Sequence, residues 1–408
     1  MNILVVNAGS SSLKYQLIDS NTGIASAKGI CERIGMQGSL IEHKNLVKDT
    51  KTKLESPMND HADAMKLVIK YLTDKELGVV STMDEIQAIG HRIVHGGTFF
   101  SQSILLNEDV LSKLELCKDF APLHTVAHLM GIKGCLETMA DKPQVLVFDT
   151  SFHQTMAPEA YMYALPYKYF EEYGIRRYGF HGTSHRYVSA EMAKILNKPI
   201  EDTKIVTCHI GNGSSITAVK GGKVMDTSMG FTPLAGIEMG TRCGDIDPAI
   251  VTLSMEKENM TPAQANSMMN KESGVLGISG FSSDSRDLEA AIAAGPSDPR
   301  YERANLAVNI LKYQIKKYIG SYAAIMNGLD AVVFTAGIGE NSTMLRKLIL
   351  EDMEFMGIEL DCDTNELAFR RSEPTKISSA TSKVTVYVIP TNEELVIARD
   401  TATIVANL

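Results

Sequence analysis

The sequence predicts an α/β protein whose core domain is duplicated. Strand-like and helix-like stretches alternate along the chain. One unit, an apolar strand followed by a Gly-Ser turn and a second strand, also occurs twice. The first copy runs from Ile3 to Asp19 through Asn7-Ala8-Gly9-Ser10-Ser11-Ser12. The second runs from Ile205 to Val219 through His209-Ile210-Gly211-Asn212-Gly213-Ser214-Ser215. Gly9 and Gly213 stand 204 positions apart in a chain of 408. Glycine lets backbone approach a ligand closely, and serine adds hydroxyls and free N–H groups, so paired turns of this kind suit a polyanion gripped from two sides. Two ordinary β-hairpins would share the pattern.

The remaining elements follow in order. Ile86–Val94 and Gln144–Asp149 are short apolar runs that read as buried strands ending in polar residues, where open α/β sheets place their ligands. Residues 36–60 and 255–300 are more polar and read as loops or insertions. A helix is predicted from about Ser184 to Leu196 and a longer one from about Arg303 to Met326. On the longer one Ala307, Leu311, Ile315, Ile319, Ala323 and Met326 fall on one stripe, and Gly328 stands at the expected C-terminal cap. Ala331–Phe334 is a strand that empties into Thr335–Asn341. The chain then runs through a strand (Val384–Ile389), Pro390 and a helix from about Glu393 to Val405. Thr391 and Glu394 read as a capping box at its start, leaving Glu393 to face a site.

Composition narrows the function classes. Apolar residues make up 44% and charged residues 22% of an ordinary globular chain, and the net charge of −9 argues against a nucleic-acid partner. No basic leader precedes the first apolar strand and no apolar run approaches membrane-spanning length, so a cytoplasmic protein without signal peptide or membrane span is expected. The six cysteines are scattered without a C-x-x-C pair, which fits reduced thiols. The P-loop, the Rossmann glycine fingerprint and the nucleophile elbow are all absent.

Two arginines stand in glycine-rich company: Arg92 before His95-Gly96-Gly97, and Arg242 within Gly240-Thr241-Arg242-Cys243-Gly244-Asp245. Such arginines suit the clamping of a planar or trigonal anion better than a surface ion pair. The histidine pairs 91/95, 124/128 and 181/185 have metal-ligand spacing, but glycines disfavour helix at the first and last, and H-E-x-x-H is missing, which speaks against a zinc hydrolase. His181 precedes a predicted helix, a place where a histidine can donate to an anion.

Taken together, Asn7–Lys14, His91–Gly97, Phe148–His153, Gly179–His185, His209–Ser215, Gly240–Pro248 and Phe334–Asn341 resemble the acetate kinase family, in order and almost from end to end. The resemblance implies two ribonuclease-H-like domains, the fold of sugar kinases, actin and heat-shock chaperone ATPases, with the active site in the cleft between them. It implies residues 1–149 and 150–385 as the two domains and 386–408 as a segment packing back on the first. The implied reaction is reversible phosphoryl transfer between ATP and acetate, giving ADP and acetyl phosphate, in a homodimer that uses Mg²⁺, with Mn²⁺ as a substitute. By position, Asn7 and Glu393 match the metal residues. Lys14, the turn His209, Ile210, Gly211, Asn212 and Gly213, the segment Asp284, Ser285 and Arg286, and Gly337, Ile338, Gly339, Glu340 and Asn341 match the ATP contacts. Arg92 matches the acetate contact, and Val94, Leu123 and Pro233 the pocket for its methyl group. His181 and Arg242 match the groups that stabilise the transferring phosphoryl, and Asp149 a residue assigned to proton transfer. Because acetate is already ionised at neutral pH, Asp149 is better suited to orient an arginine or a magnesium-bound water than to move a proton, and a direct in-line transfer is expected. The run Ala121–Val126 and residues Glu238 and Cys243 depart from the family pattern, which bears on the choice between acetate, propionate and butyrate. A non-transferring ATPase of the actin kind is the alternative from another class.

Overall fold

The computed structural model describes residues 1–408 except for the side chain of Leu123, so that acyl-pocket candidate lies outside the described residues. The chain forms two compact units, Met1–Phe152 with Asn392–Leu408, and His153–Thr391.

The first unit holds an eight-stranded sheet: β1 (Asn2–Ala8), β2 (Ser12–Asp19), β3 (Ala25–Glu32), β4 (Leu40–Asn45), β5 (Thr50–Glu55), β6 (Ala88–Ile93), β7 (Ile104–Leu105) and β8 (Gln144–Phe148), in the order β5-β4-β3-β2-β1-β6-β8-β7. The central strands are mostly apolar, as strands buried on both faces tend to be, and β8 is entirely buried. On one face Leu4, Val6 and Ile89 pack against residues of the helices His61–Leu72 and Pro122–Thr138. The helix Glu393–Val405 covers β1, β6 and β8. Gly90 permits that approach, since a Cβ there would lie 2.7 Å from Ile397 and 2.5 Å from the Thr401 hydroxyl.

The second unit holds β9 (Lys204–Ile210), β10 (Ser214–Lys220), β11 (Lys223–Thr227), β12 (Ala331–Thr335), β13 (Thr375–Lys376) and β14 (Thr385–Val388), in the order β11-β10-β9-β12-β14-β13. In both sheets an antiparallel meander is followed by two parallel strands: β3-β2-β1-β6-β8 in one, β11-β10-β9-β12-β14 in the other. The duplicated α/β architecture expected from the repeated turn is therefore present. The long helix spans Tyr301–Met326 and buries the predicted stripe. It ends with Asn327 in the left-handed region (φ 55°), and Gly328 follows with φ 122°.

Several local expectations need correction. Residues 40–55 form the hairpin β4–β5, and most of 249–293 is helical, in Ala249–Glu258, Pro262–Lys271, Gly274–Ser279 and Ser285–Ala293. Polar caps start two of these helices, Thr261 accepting from Gln264 and Asp284 from Arg286. The helix after His181 begins at Gly182, despite that glycine. The capping box at Thr391 and Glu394 does not form. Asn392 caps the last helix by accepting from the Leu395 N–H at 3.0 Å, while the Thr391 N–H donates to Glu340 Oε1 at 3.1 Å and its hydroxyl is bonded to that of Ser184. Among the described residues no helix is long and apolar enough to cross a membrane.

Candidate active site

In the first unit the parallel strands β1, β6 and β8 deliver Asn7, Arg92 to Val94, and Asp149 to one edge of the sheet. Arg92 is gripped side-on by Asp149: Nε donates to Oδ1 at 3.1 Å and Nη2 to Oδ2 at 2.8 Å. This fork geometry fixes the guanidinium plane. Asp149, followed by Glu393 and Glu394, raises the Arg92 pKa further above its ordinary value. Next to it, the Val94 N–H donates to His128 Nε2 at 3.1 Å. Burial first, then the charges of His124, Arg92 and His91, push the His128 pKa down to about 3, so the ring stays neutral and can accept. Asn7 and Lys14 are register partners on β1 and β2, and with Glu394 they line a cavity of about 430 Å³. Glu393 is the first residue of the last helix. The amide and carboxylate oxygens of Asn7, Glu393 and Glu394 are hard donors of the kind Mg²⁺ takes. Sequence alone hides Glu394, because the expected capping box would occupy it.

In the second unit His181 and Arg242 converge on the Gly211–Gly213 turn. A Cβ on Gly213 would lie 3.3 Å from Arg242 Nη1 and 3.7 Å from His181 Nε2. Glycine at this position keeps that space clear for a ligand. Arg242 contacts the Pro233 carbonyl at 3.2 Å and the Met239 sulfur at 3.7 Å, with no carboxylate in ion-pair reach among the described residues. Burial lowers its pKa, and no neighbouring charge offsets that. A half-buried guanidinium without a counter-ion is an anion site in waiting. Pro233 belongs to this unit, whereas Val94 belongs to the other.

His181 occupies the left-handed N-cap position (φ 57°) and stacks on His209 with ring centroids 4.0 Å apart. Its Nδ1 lies 2.8 Å from the Ser215 hydroxyl. That hydroxyl lies 2.7 Å from His185 Nε2, and His185 Nδ1 lies 2.7 Å from Thr207 Oγ1. Burial, with the charges of His153 and His209, pushes the His185 pKa well down, so it is neutral. Thr207 donates to the Thr217 carbonyl at 3.4 Å and therefore accepts from His185 Nδ1–H. His185 Nε2 then accepts from Ser215, and Ser215 accepts from His181 Nδ1–H. With Nδ1 so engaged, His181 Nε2 donates to an anion only in the imidazolium form. Ser215, His185 and Thr207 form the chain of contacts behind His181, a role the sequence does not give them. It marks only Ser215, by the Ser-Ser pair in the turn, and His185, by the 181/185 spacing that otherwise reads as a metal pattern.

Asn212, Asp284, Arg286, Gly337, Ile338 and Asn341 line a cavity of about 600 Å³, together with Phe369 and Arg370, which no sequence motif marks. Asp284 caps its helix and forks with Arg286, whose hydrogen bonds bring the Asp284 pKa down to about 2. Three members of the predicted set also make contacts within the scaffold. The Ile210 side chain is fully buried in the core, and Glu340 accepts from the Ala336 and Thr391 N–H groups. Gly339 accepts from the buried Arg346.

The acetokinase family pattern matches residues 2–399. The acetate kinase of Fusobacterium nucleatum is 56% identical over 98% of this chain and 99% of its own length. The crystal structure of Porphyromonas gingivalis acetate kinase superposes with a TM-score of 0.94 at 46% identity, covering 99% of both chains. That of a propionate kinase from Francisella tularensis does so with a TM-score of 0.90 at 40% identity, covering 98% of this chain and 99% of its own. With the repeated topology and the two arginine sites, this similarity across nearly the whole length shows that the chain belongs to the acetokinase family.

Proposed function

We propose that the protein is an acetate kinase, transferring the terminal phosphoryl group of ATP to acetate, reversibly and in one in-line step, to give ADP and acetyl phosphate. The observation that carries this reading is the pair Arg242 and His181, aimed at a glycine-cleared turn and lacking an acidic partner at the guanidinium. Phosphoryl transfer asks for positive charge on the equatorial oxygens and little covalent chemistry. Arg92, held rigid by Asp149, neutralises the acetate carboxylate, whose approach to an anionic phosphoryl is otherwise repulsive. Acetate is ionised at neutral pH and needs no base, so Asp149 orients Arg92 rather than moving a proton. Asn7 and Glu393 would hold Mg²⁺, which would neutralise phosphate charge when bound. Lys14 and the Gly211–Gly213 turn take the phosphates, and the cavity between Asp284–Arg286 and Gly337–Asn341 takes the nucleoside.

The test is ADP formation from Mg·ATP with and without acetate, in hydroxylamine to trap acyl phosphate. Acetate-dependent turnover with stoichiometric acetyl hydroxamate is expected. ADP release that ignores acetate would replace this reading by a simple ATPase. The likeness to a propionate kinase makes propionate the second acceptor to compare. One methylene is worth only about 1–3 kcal/mol, so the two activities are expected to overlap. Leu306 and Tyr313 stand exposed on the long helix beside a groove of about 420 Å³, which supports a homodimer, to be checked by sedimentation.

A further inference from the structure

Glu238 lies between Ile237 and Met239 in the loop that carries Arg242. It is 2% exposed, and neither carboxyl oxygen has a hydrogen-bond partner. A buried carboxyl left in this state is costly, and a structure that retains one has a use for it or a partner still to arrive. Glu238 lines a narrow cavity of about 30 Å³. Gly211, Ser285, Glu289, Ile338 and Ser342 line both this cavity and the 600 Å³ nucleoside cavity, so the small one is its inner extension. A space of that size takes one water, or the exocyclic group of a base whose ring edge stays at its mouth. Two of the polar groups around it are committed, Ser342 donating to Glu289 and Ser214 to the Gly211 carbonyl, while Ser283 and Ser285 also line it. Glu289 is the only other titratable group among the described residues that line it.

We propose that Glu238 reads the base of the phosphoryl donor through this extension and sets the choice between adenine and guanine. The inference rests on the nucleotide-binding reading of the second unit. A neutral carboxylic acid offers one O–H donor and one carbonyl acceptor, the complement of the N1 acceptor and N6 amino donor of adenine. A carboxylate offers acceptors only. It repels the O6 of guanine at one approach and pairs with the N1–H and N2 amino donors at another. Burial pushes the Glu238 pKa up to about 8, so the neutral form prevails at neutral pH and ATP is the preferred donor. Above that pH the carboxylate form favours GTP.

The experiment compares kcat/KM for Mg·ATP and Mg·GTP, with acetate and hydroxylamine, at about pH 6.5 and about pH 8.5, a span that brackets the Glu238 titration. The ratio of the two nucleotides cancels pH effects common to both. In the unaltered protein the ATP-over-GTP ratio is expected to fall by about tenfold or more across that span. In Glu238→Gln, which keeps a donor and an acceptor but cannot ionise, the ratio becomes independent of pH. Turnover with the same ratio at both pH values in the unaltered protein overturns this inference alone. Absence of acetyl hydroxamate with either nucleotide overturns the transfer reading and this inference with it. Calorimetric binding of ADP and GDP to the unaltered protein at both pH values reads the same preference without a variant: a ratio of affinities that does not move with pH overturns the inference.

Discussion

The two arginines that the sequence singles out reach opposite electrostatic states. Arg92 is oriented by a carboxylate paired to one side of its guanidinium, whereas Arg242 has none in ion-pair reach among the described residues. Their replacement should therefore read differently. Arg242→Ala removes charge felt most by the transition state, so kcat should fall by about 10³ or more with a modest change in KM, as for other arginine fingers. A loss under tenfold in steady-state assays would remove its assigned role. Asp149→Asn keeps a hydrogen bond but frees the Arg92 plane. The expected loss is on the order of 10² in kcat/KM for acetate, with the pH profile unchanged. A fall in kcat with a displaced pH limb would instead mark Asp149 as a proton carrier. The arginines were legible because glycine flanks are unusual for a surface arginine. Ser215, His185 and Thr207 were not, because serine, threonine and histidine are common. Their significance comes from a chain of contacts joining β9, β10 and the helix Gly182–Ile195. Glu238 stands out in the sequence only as a departure, since nothing in Ile-Glu-Met says that the carboxyl has no partner.

Among the elements, the helix Glu393–Val405 shows how a cap can carry function. Asn392 holds its first turn, and the first two residues after the cap are Glu393 and Glu394. Asn392→Ala should cost about 1 kcal/mol of stability by denaturant unfolding, and raise the metal concentration needed for half-maximal turnover. A variant indistinguishable in both would show that tertiary contacts alone place the turn. The misread capping box has a local cause: Thr391 and Asn392 are adjacent capable caps, and the hydroxyl of Thr391 is drawn to Ser184. The strands β1, β6, β8 and β12 were legible as apolar runs, and the long helix from its stripe of buried positions. β5 was not, because five of its six residues are exposed at the sheet edge and its composition matches a loop. The helices between 249 and 271 were missed because little of their surface is buried, which leaves no apolar period to read.

For the whole molecule, buried titratable groups set the dependence of stability on pH. Burial pushes His91 down to about 4 and His128 to about 3, and lowers His43 and His185 as well. These rings remain neutral in the fold while the unfolded chain takes up protons near pH 6.5. Their contribution is present above about 6.5 and is lost as pH falls towards 4, by about 3 kcal/mol for His91 alone. Glu238 has the opposite sign. Its folded pKa of about 8 exceeds the ordinary 4.5, so its contribution is present below 4.5 and lost as pH rises to 8. Four groups against two, Glu238 and the Asp226 carboxyl that burial also raises, leave stability rising up to about pH 6.5 and falling beyond it as Glu238 ionises. Denaturant midpoints across pH should show this maximum, and Glu238→Gln should flatten the alkaline side. A profile with no maximum between about pH 5 and about pH 8 would contradict the assignment.

The return of the last helix to the first unit also has a consequence for biosynthesis. The sheet of Met1–Phe152 leaves the ribosome long before the segment Asn392–Leu408 that covers part of it, and all of His153–Thr391 is made in between. Synthesis runs at about 5–20 residues per second, so that face of β1, β6 and β8 waits about ten seconds or more, exposed to chaperones, before its cover exists. Because the same segment brings Glu393 and Glu394, a nascent chain stalled before Asn392 holds every candidate phosphoryl-binding arginine and histidine yet lacks the carboxylates proposed for the metal. On this reading the proposed metal site is complete only once Glu393 and Glu394 have been translated.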